Sequence, residues 1–102
     1  MASGTLGQAS LAAATNTTVY TAGATPSTFN IEVTNTTGYP VAVNLSISAA
    51  TTPVAGEYLE YQTVIPGNGV LERGGVVCTA GKYIVAYATA AGVNVNIYGY
   101  EG

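Results

Sequence analysis

Apolar and polar side chains alternate with a period of two along most of this chain. Gly, Pro and Asn interrupt the alternation at intervals of roughly 8–12 residues. Phe29, Ile31 and Val33 alternate with Asn30, Glu32 and Thr34, and Val41, Val43, Leu45 and Ile47 alternate with Ala42, Asn44, Ser46 and Ser48. Successive side chains of a strand point to opposite faces, so each such segment has one face for a core and one left over. No segment repeats at helical spacing. The pattern therefore predicts an all-β fold: an antiparallel β-sandwich or flattened barrel, jelly-roll-like, of six to eight short strands.

The 102 residues allow one domain. Strands are expected at Thr18–Thr21, Phe29–Thr34, Val41–Ser48, Tyr58–Ile65, Val70–Thr79, Tyr83–Tyr87 and Val93–Tyr100, with a bulge or bend at Gly74-Gly75. Strict alternation assigns Leu59, Tyr61, Thr63 and Ile65 to one face of their strand. It turns Tyr83, Val85 and Tyr87 inward, which places Tyr61, Tyr83 and Tyr87 in the core. In the last strand Val93, Val95 and Ile97 face inward, and Asn94, Asn96 and Tyr98 outward. The β domain spans residues 18–102. Residues 1–17 are small and polar and read as a flexible N-terminal arm, whose Leu6 and Leu11 would dock on a neighbouring subunit if the arm orders at all.

Composition narrows the chemistry. Charged residues are 7% of the chain, against about 25% in ordinary domains, and His, Asp and Trp are absent. The commonest general base is missing, as are a Ser-His-Asp triad and most metal-ligand sets. Five glutamates remain: Glu32, Glu57, Glu60, Glu72 and Glu101. Glu57 and Glu60 stand three apart, on opposite faces of a regular strand. These carboxylates read as surface charges partnered by Arg73 or Lys82. The Gly67–Gly75 segment carries no Gly-Lys-Ser/Thr and opens no helix, so it is turn chemistry and not a phosphate loop. No enzyme activity, cofactor or metal is expected.

Net charge is −3 and the only cations are Arg73 and Lys82. Nucleic acid and anionic membranes are therefore not expected partners. No apolar run reaches the ~20 residues of a membrane helix. The start at Met1 lacks a basic and apolar signal sequence, so synthesis in the cytoplasm is expected. Cys78 is the single cysteine and reads as a small buried hydrophobe. Three Asn-X-Ser/Thr triplets begin at Asn16, Asn35 and Asn44, as chance allows in a chain so rich in Asn and Thr.

What remains is surface for contact. Eight tyrosines dominate the aromatics, and tyrosine joins a large contact area to a polar tip. Tyr58, Tyr98 and Tyr100 lie on outward positions and are candidates for an interface. Leu6, Leu11, Glu72 and Arg73 are the others. Asn94 and Asn96 share a face with Tyr98, as a sugar-binding platform would require. With so few charges to guard them, strand edges are expected to be covered by self-association or by a larger partner.

Several segments resemble one family. They are Glu57-Tyr58-Leu59-Glu60-Tyr61, Ile65 through Val77 (IPGNGVLERGGVV), Ala80-Gly81-Lys82, Val93 through Glu101 (VNVNIYGYE) and the opening Met1 through Ala9. Together they are similar to small structural proteins of tailed bacteriophages, common in cyanophages. The resemblance implies a β-rich virion protein made in the host cytoplasm: a head decoration (cement) protein bound to the major capsid protein, or a tail, fibre or baseplate module binding another virion protein or a host-surface glycan. It implies symmetric homo-oligomers, a trimer favoured, and no catalytic residue.

Overall fold

A computed structural model describes residues 3–101. They form β1 (Ser3–Leu11), β2 (Thr17–Thr21), β3 (Ser27–Asn35), β4 (Val41–Ser48), β5 (Tyr58–Ile65), β6 (Val70–Cys78), β7 (Tyr83–Ala88) and β8 (Val93–Glu101), with no helix among the described residues. The pairing is nested about the β4–β5 loop. β4 pairs with β5, β3 with β6, β2 with β7 and β1 with β8, all antiparallel. Rolling this long hairpin sets β8 against β3 and β7 against β4. Two four-stranded sheets result, sheet A in the order β1-β8-β3-β6 and sheet B in the order β2-β7-β4-β5. An eight-stranded antiparallel sandwich wound in this way is a jelly roll.

The core lies between the sheets. Phe29, Ile31 and Val33 of β3, with Val93, Val95 and Ile97 of β8, meet Val41, Val43 and Leu45 of β4 and Ile84, Ala86 and Ala88 of β7. These are the alternate apolar positions of each strand, so area removed from water specifies the faces. Gly99 lies opposite Phe29, and a Cβ there would come within 2.6 Å of the Phe29 Cα. Only glycine lets β8 pass so close to β3.

Three expectations are corrected by this arrangement. Ser3–Leu11 is not a free arm but the edge strand of sheet A, paired antiparallel with β8 and in register from Ser3 opposite Tyr100 to Leu11 opposite Val93. Leu11 is 2% exposed and belongs to the core, with Leu6 packed against it at a bulge. In β7 the phase is the reverse of that expected: Ile84, Ala86 and Ala88 face inward, which puts Tyr83, Val85 and Tyr87 on the outside of sheet B. In β5 two bulges break the alternation. Gln62 adopts a left-handed φ of 53°, and its N–H donates to Asn44 Oδ1 at 2.6 Å. The extra residue turns Tyr61 out, at 59% exposed, and lets Glu60 turn toward the other sheet.

Buried polar groups tie the sheets together. Tyr20 of β2 donates its hydroxyl proton to Glu101 Oε2 of β8 at 2.6 Å, which leaves its oxygen to accept from the buried Ser27 hydroxyl of β3. Asn35 is fully buried at the end of β3. Its Nδ2 donates to the carbonyls of Tyr39, Ile65 and Pro66, and its Oδ1 accepts from the N–H and hydroxyl of Thr37. One side chain thus organises two turns. Cys78 is buried, and burial pushes its thiol pKa up against a smaller opposing pull from Lys82.

Candidate interaction faces

The jelly roll leaves two broad outer faces with different chemistry. The outer face of sheet A takes every second residue of β1, β8, β3 and β6. Register builds it row by row: Ser10, Asn94, Thr34 and Val70; then Gln8, Asn96, Glu32 and Glu72; then Thr5, Tyr98 and Asn30; then Tyr100, Thr28 and Val77. Gln8 Nε2 donates to Asn96 Oδ1 at 2.8 Å. Gln8, Ser10, Asn94 and Asn96 border an open depression of about 410 Å³ between β1 and β8. Asn30 Oδ1 accepts from the Gly75 N–H at 3.2 Å. This holds the β6 bulge, where Gly75 takes a left-handed φ of 66°.

Glu32 and Glu72 stand directly opposite each other on this face. Like charges in register destabilise a sheet, and no cation comes between them: Arg73 faces the other way, into the gap between the sheets. There its Nη1 meets Glu60 Oε2 at 2.9 Å, and Glu60 Oε1 accepts from the Thr63 hydroxyl. This is the one ion pair among the described residues, and it joins β6 to β5 where the two sheets end on the same side of the sandwich. The arginine side chain remains 40% exposed, so the pair contributes modestly, about 1 kcal/mol or less.

The outer face of sheet B is aromatic. Tyr58 and Tyr61 of β5 and Tyr83 and Tyr87 of β7 collect here, half of the chain's eight tyrosines. Tyr58 and Tyr61 pack edge to face, with ring centroids 4.8 Å apart. With Ala55 and Gly56 they line an open depression of about 430 Å³. Across the face, Thr18, Val85, Ser46 and Tyr58 share one row. Val85 and Ser46 are buried there although they point away from the core. Strands β2, β4 and β7 carry no charged residue at all, and the one in β5, Glu60, is turned inward. The face is thus aromatic and uncharged, with the small polar side chains Asn44, Ser46 and Ser48 of β4 between the tyrosines of β5 and β7. At one end Glu57 accepts from the N–H groups of Val54 and Ala49, which in that order of strength hold its carboxyl below the usual range and fasten the loop between β4 and β5.

The seven contact candidates therefore part company. Glu72, Tyr98 and Tyr100 sit together on the outer face of sheet A, and Tyr58 on that of sheet B. Arg73 lies between the sheet edges. Leu11 is buried in the core, and Leu6 packs against it half-buried. Tyr61, Tyr83 and Tyr87 were missed as surface residues because a bulge and a reversed strand phase carry them outward. The Gly74-Gly75 bulge and the outward Asn94, Asn96 and Tyr98 were legible from spacing alone. Among the described residues no group of three or more His, Cys, Asp or Glu side chains could hold a metal, and no helix is long and apolar enough to cross a membrane. No protein-family model, no characterised protein and no solved structure matches this chain.

Proposed function

We propose that this protein is a non-enzymatic structural component of a virion, a head decoration protein whose copies bind and stabilise the shell through the outer face of sheet B. The observation that carries the reading is that face itself: four tyrosines and the exposed Val64 on strands without an outward charge. Its aromatic, uncharged composition matches the core of a protein interface, where charge is depleted and tyrosine enriched. The sequence resemblance to tailed-phage structural proteins supports the virion setting, and the jelly roll is a form that capsid and lectin domains share, an argument by analogy only. Each contact burying such a face stabilises by roughly 25 cal/mol per Å² before entropy losses. Many weak contacts around a shell then add up.

The test is co-sedimentation with shells that lack the protein. Wild type pellets with the shells, and Tyr61→Lys weakens pelleting at least tenfold. Failure of the wild type to pellet removes the shell-binding reading.

One observation favours a second reading, a tail or fibre module that binds a host glycan. Tyr98, Asn30, Asn96 and Gln8 lie side by side on sheet A, an aromatic ring among amide donors and acceptors. A glycan array showing binding that Tyr98→Ala abolishes would establish it; a blank array removes it.

A further inference from the structure

We infer that two copies of this chain join through β1, edge to edge and antiparallel, so that sheet A of one copy continues into sheet A of the other. The fold ends its sheets in four edge strands: β1 and β6 of sheet A, β2 and β5 of sheet B. An edge offers unpaired N–H and C=O groups to another strand, and proteins block that offer with charge, bulges or short strands.

Three of the four edges are blocked. β6 carries Glu72 and Arg73 and is broken at Gly74-Gly75 into two short runs, Val70–Arg73 and Val76–Cys78. β5 holds Glu60 and is broken twice within eight residues. β2 is five residues long and broken between Thr18 and Tyr20.

β1 is different. Its bulge lies between Thr5 and Gly7, and from Gly7 to Leu11 its pairing with β8 runs unbroken. This is the longest regular run on any edge, and Ser3–Leu11 contains neither charge nor proline.

The occupant is a second copy because the run is self-compatible. A two-fold axis at Ala9 places Gln8 opposite Ser10 of the second copy and Gly7 opposite its Leu11. Gln8 and Ser10 are exposed polar side chains that can hydrogen-bond, and no charge faces a charge. Two-fold closure uses up both β1 edges and stops at a dimer, where the family resemblance favours a trimer. The paired sheets would also join the two polar faces into one surface. The pairing needs no shell or glycan, so its test is separate from those of the proposed function.

Light scattering on the isolated protein supplies the test. Wild type runs as a dimer. Gln8→Lys/Ser10→Lys puts two like-charge pairs across the joint and raises the dimer Kd about tenfold. Gln8→Glu/Ser10→Glu does the same alone, and mixing the two variants restores a dimer. Val77→Lys, on the β6 edge, leaves the dimer intact. Circular dichroism and Tm confirm that each variant is folded. A wild-type monomer or trimer, a dimer indifferent to the double Lys variant, or folded charge variants that do not pair with each other overturns the inference. So does loss of the dimer in Val77→Lys.

Discussion

Removing one oxygen at Tyr20 tests how the two sheets are held in register. Tyr20→Phe keeps the ring, and with it the edge-to-face contact with Phe29 at 5.4 Å, but deletes a hydroxyl that is 6% exposed at the residue level. Two partners are stranded. The hydrogen bond to Glu101 is to a charged group and such bonds contribute about 1.5–3 kcal/mol; Glu101 is half-buried, so the lower end applies. Ser27 is fully buried and loses its acceptor, which costs about 1–3 kcal/mol. The expected loss is about 3 kcal/mol, or roughly 12–24 °C in Tm for a domain of this size. Adding Ser27→Ala removes the orphaned hydroxyl, so Tyr20→Phe/Ser27→Ala should be more stable than Tyr20→Phe by about 1 kcal/mol. Urea unfolding of the three proteins measures this. Burial first, and the Glu101 hydrogen bond second, raise the Tyr20 pKa above 10.0, with Ser27 opposing. A raised folded pKa gives stability that is full below the ordinary tyrosine range and lost as pH climbs through and above it. The gap between wild type and Tyr20→Phe should therefore narrow in alkali. A Tyr20→Phe loss under about 0.5 kcal/mol, or a double variant no more stable than the single, refutes the clasp.

Other outcomes follow from the same geometry. Leu11→Ala empties a core position and should cost about 2–4 kcal/mol by thermal or urea unfolding, whereas a frayed terminus would cost almost nothing. Glu72→Lys replaces a like-charge pair with an opposite one across from Glu32 and should stabilise by about 0.5–1 kcal/mol, an effect that shrinks in high salt. The Glu57 carboxyl is held below the usual range, so its contribution is present above the unfolded pKa and lost as pH falls through the folded one. Proteolysis of the 49–57 loop should accelerate in acid for wild type, and Glu57→Gln should show the faster cleavage already at neutral pH.

Much of the fold was legible because burial and alternation are local. The inward residues of β3, the first half of β4 and β8 follow from a period of two, and Gly74-Gly75 marked its bulge by residue type. The β5 bulge was not legible, since nothing about Tyr61-Gln62 favours a left-handed backbone; Asn44, 18 residues away, supplies the acceptor that holds it. The phase of β7 was hidden for another reason. Tyr83 and Tyr87 offer more apolar area than Ala86 and Ala88 and look more like core, but register with β4 sets Ala86 and Ala88 beside the inward Leu45 and Val43, and the aromatics go outside. The burial of Asn35 was not legible either, because its amide partners come from two turns that meet only in the fold.

By itself the sequence determined an all-β sandwich poor in catalytic and ligating side chains. Both features are consequences of composition and period, which every residue reports for itself. The tertiary structure decided which side chains share a face or an edge. Nested pairing places Ser3–Leu11 at an unguarded edge, gathers four tyrosines on one face and sets Glu32 against Glu72 on the other. Such groupings depend on which strands become neighbours, and a period of two is the same whichever neighbour a strand has.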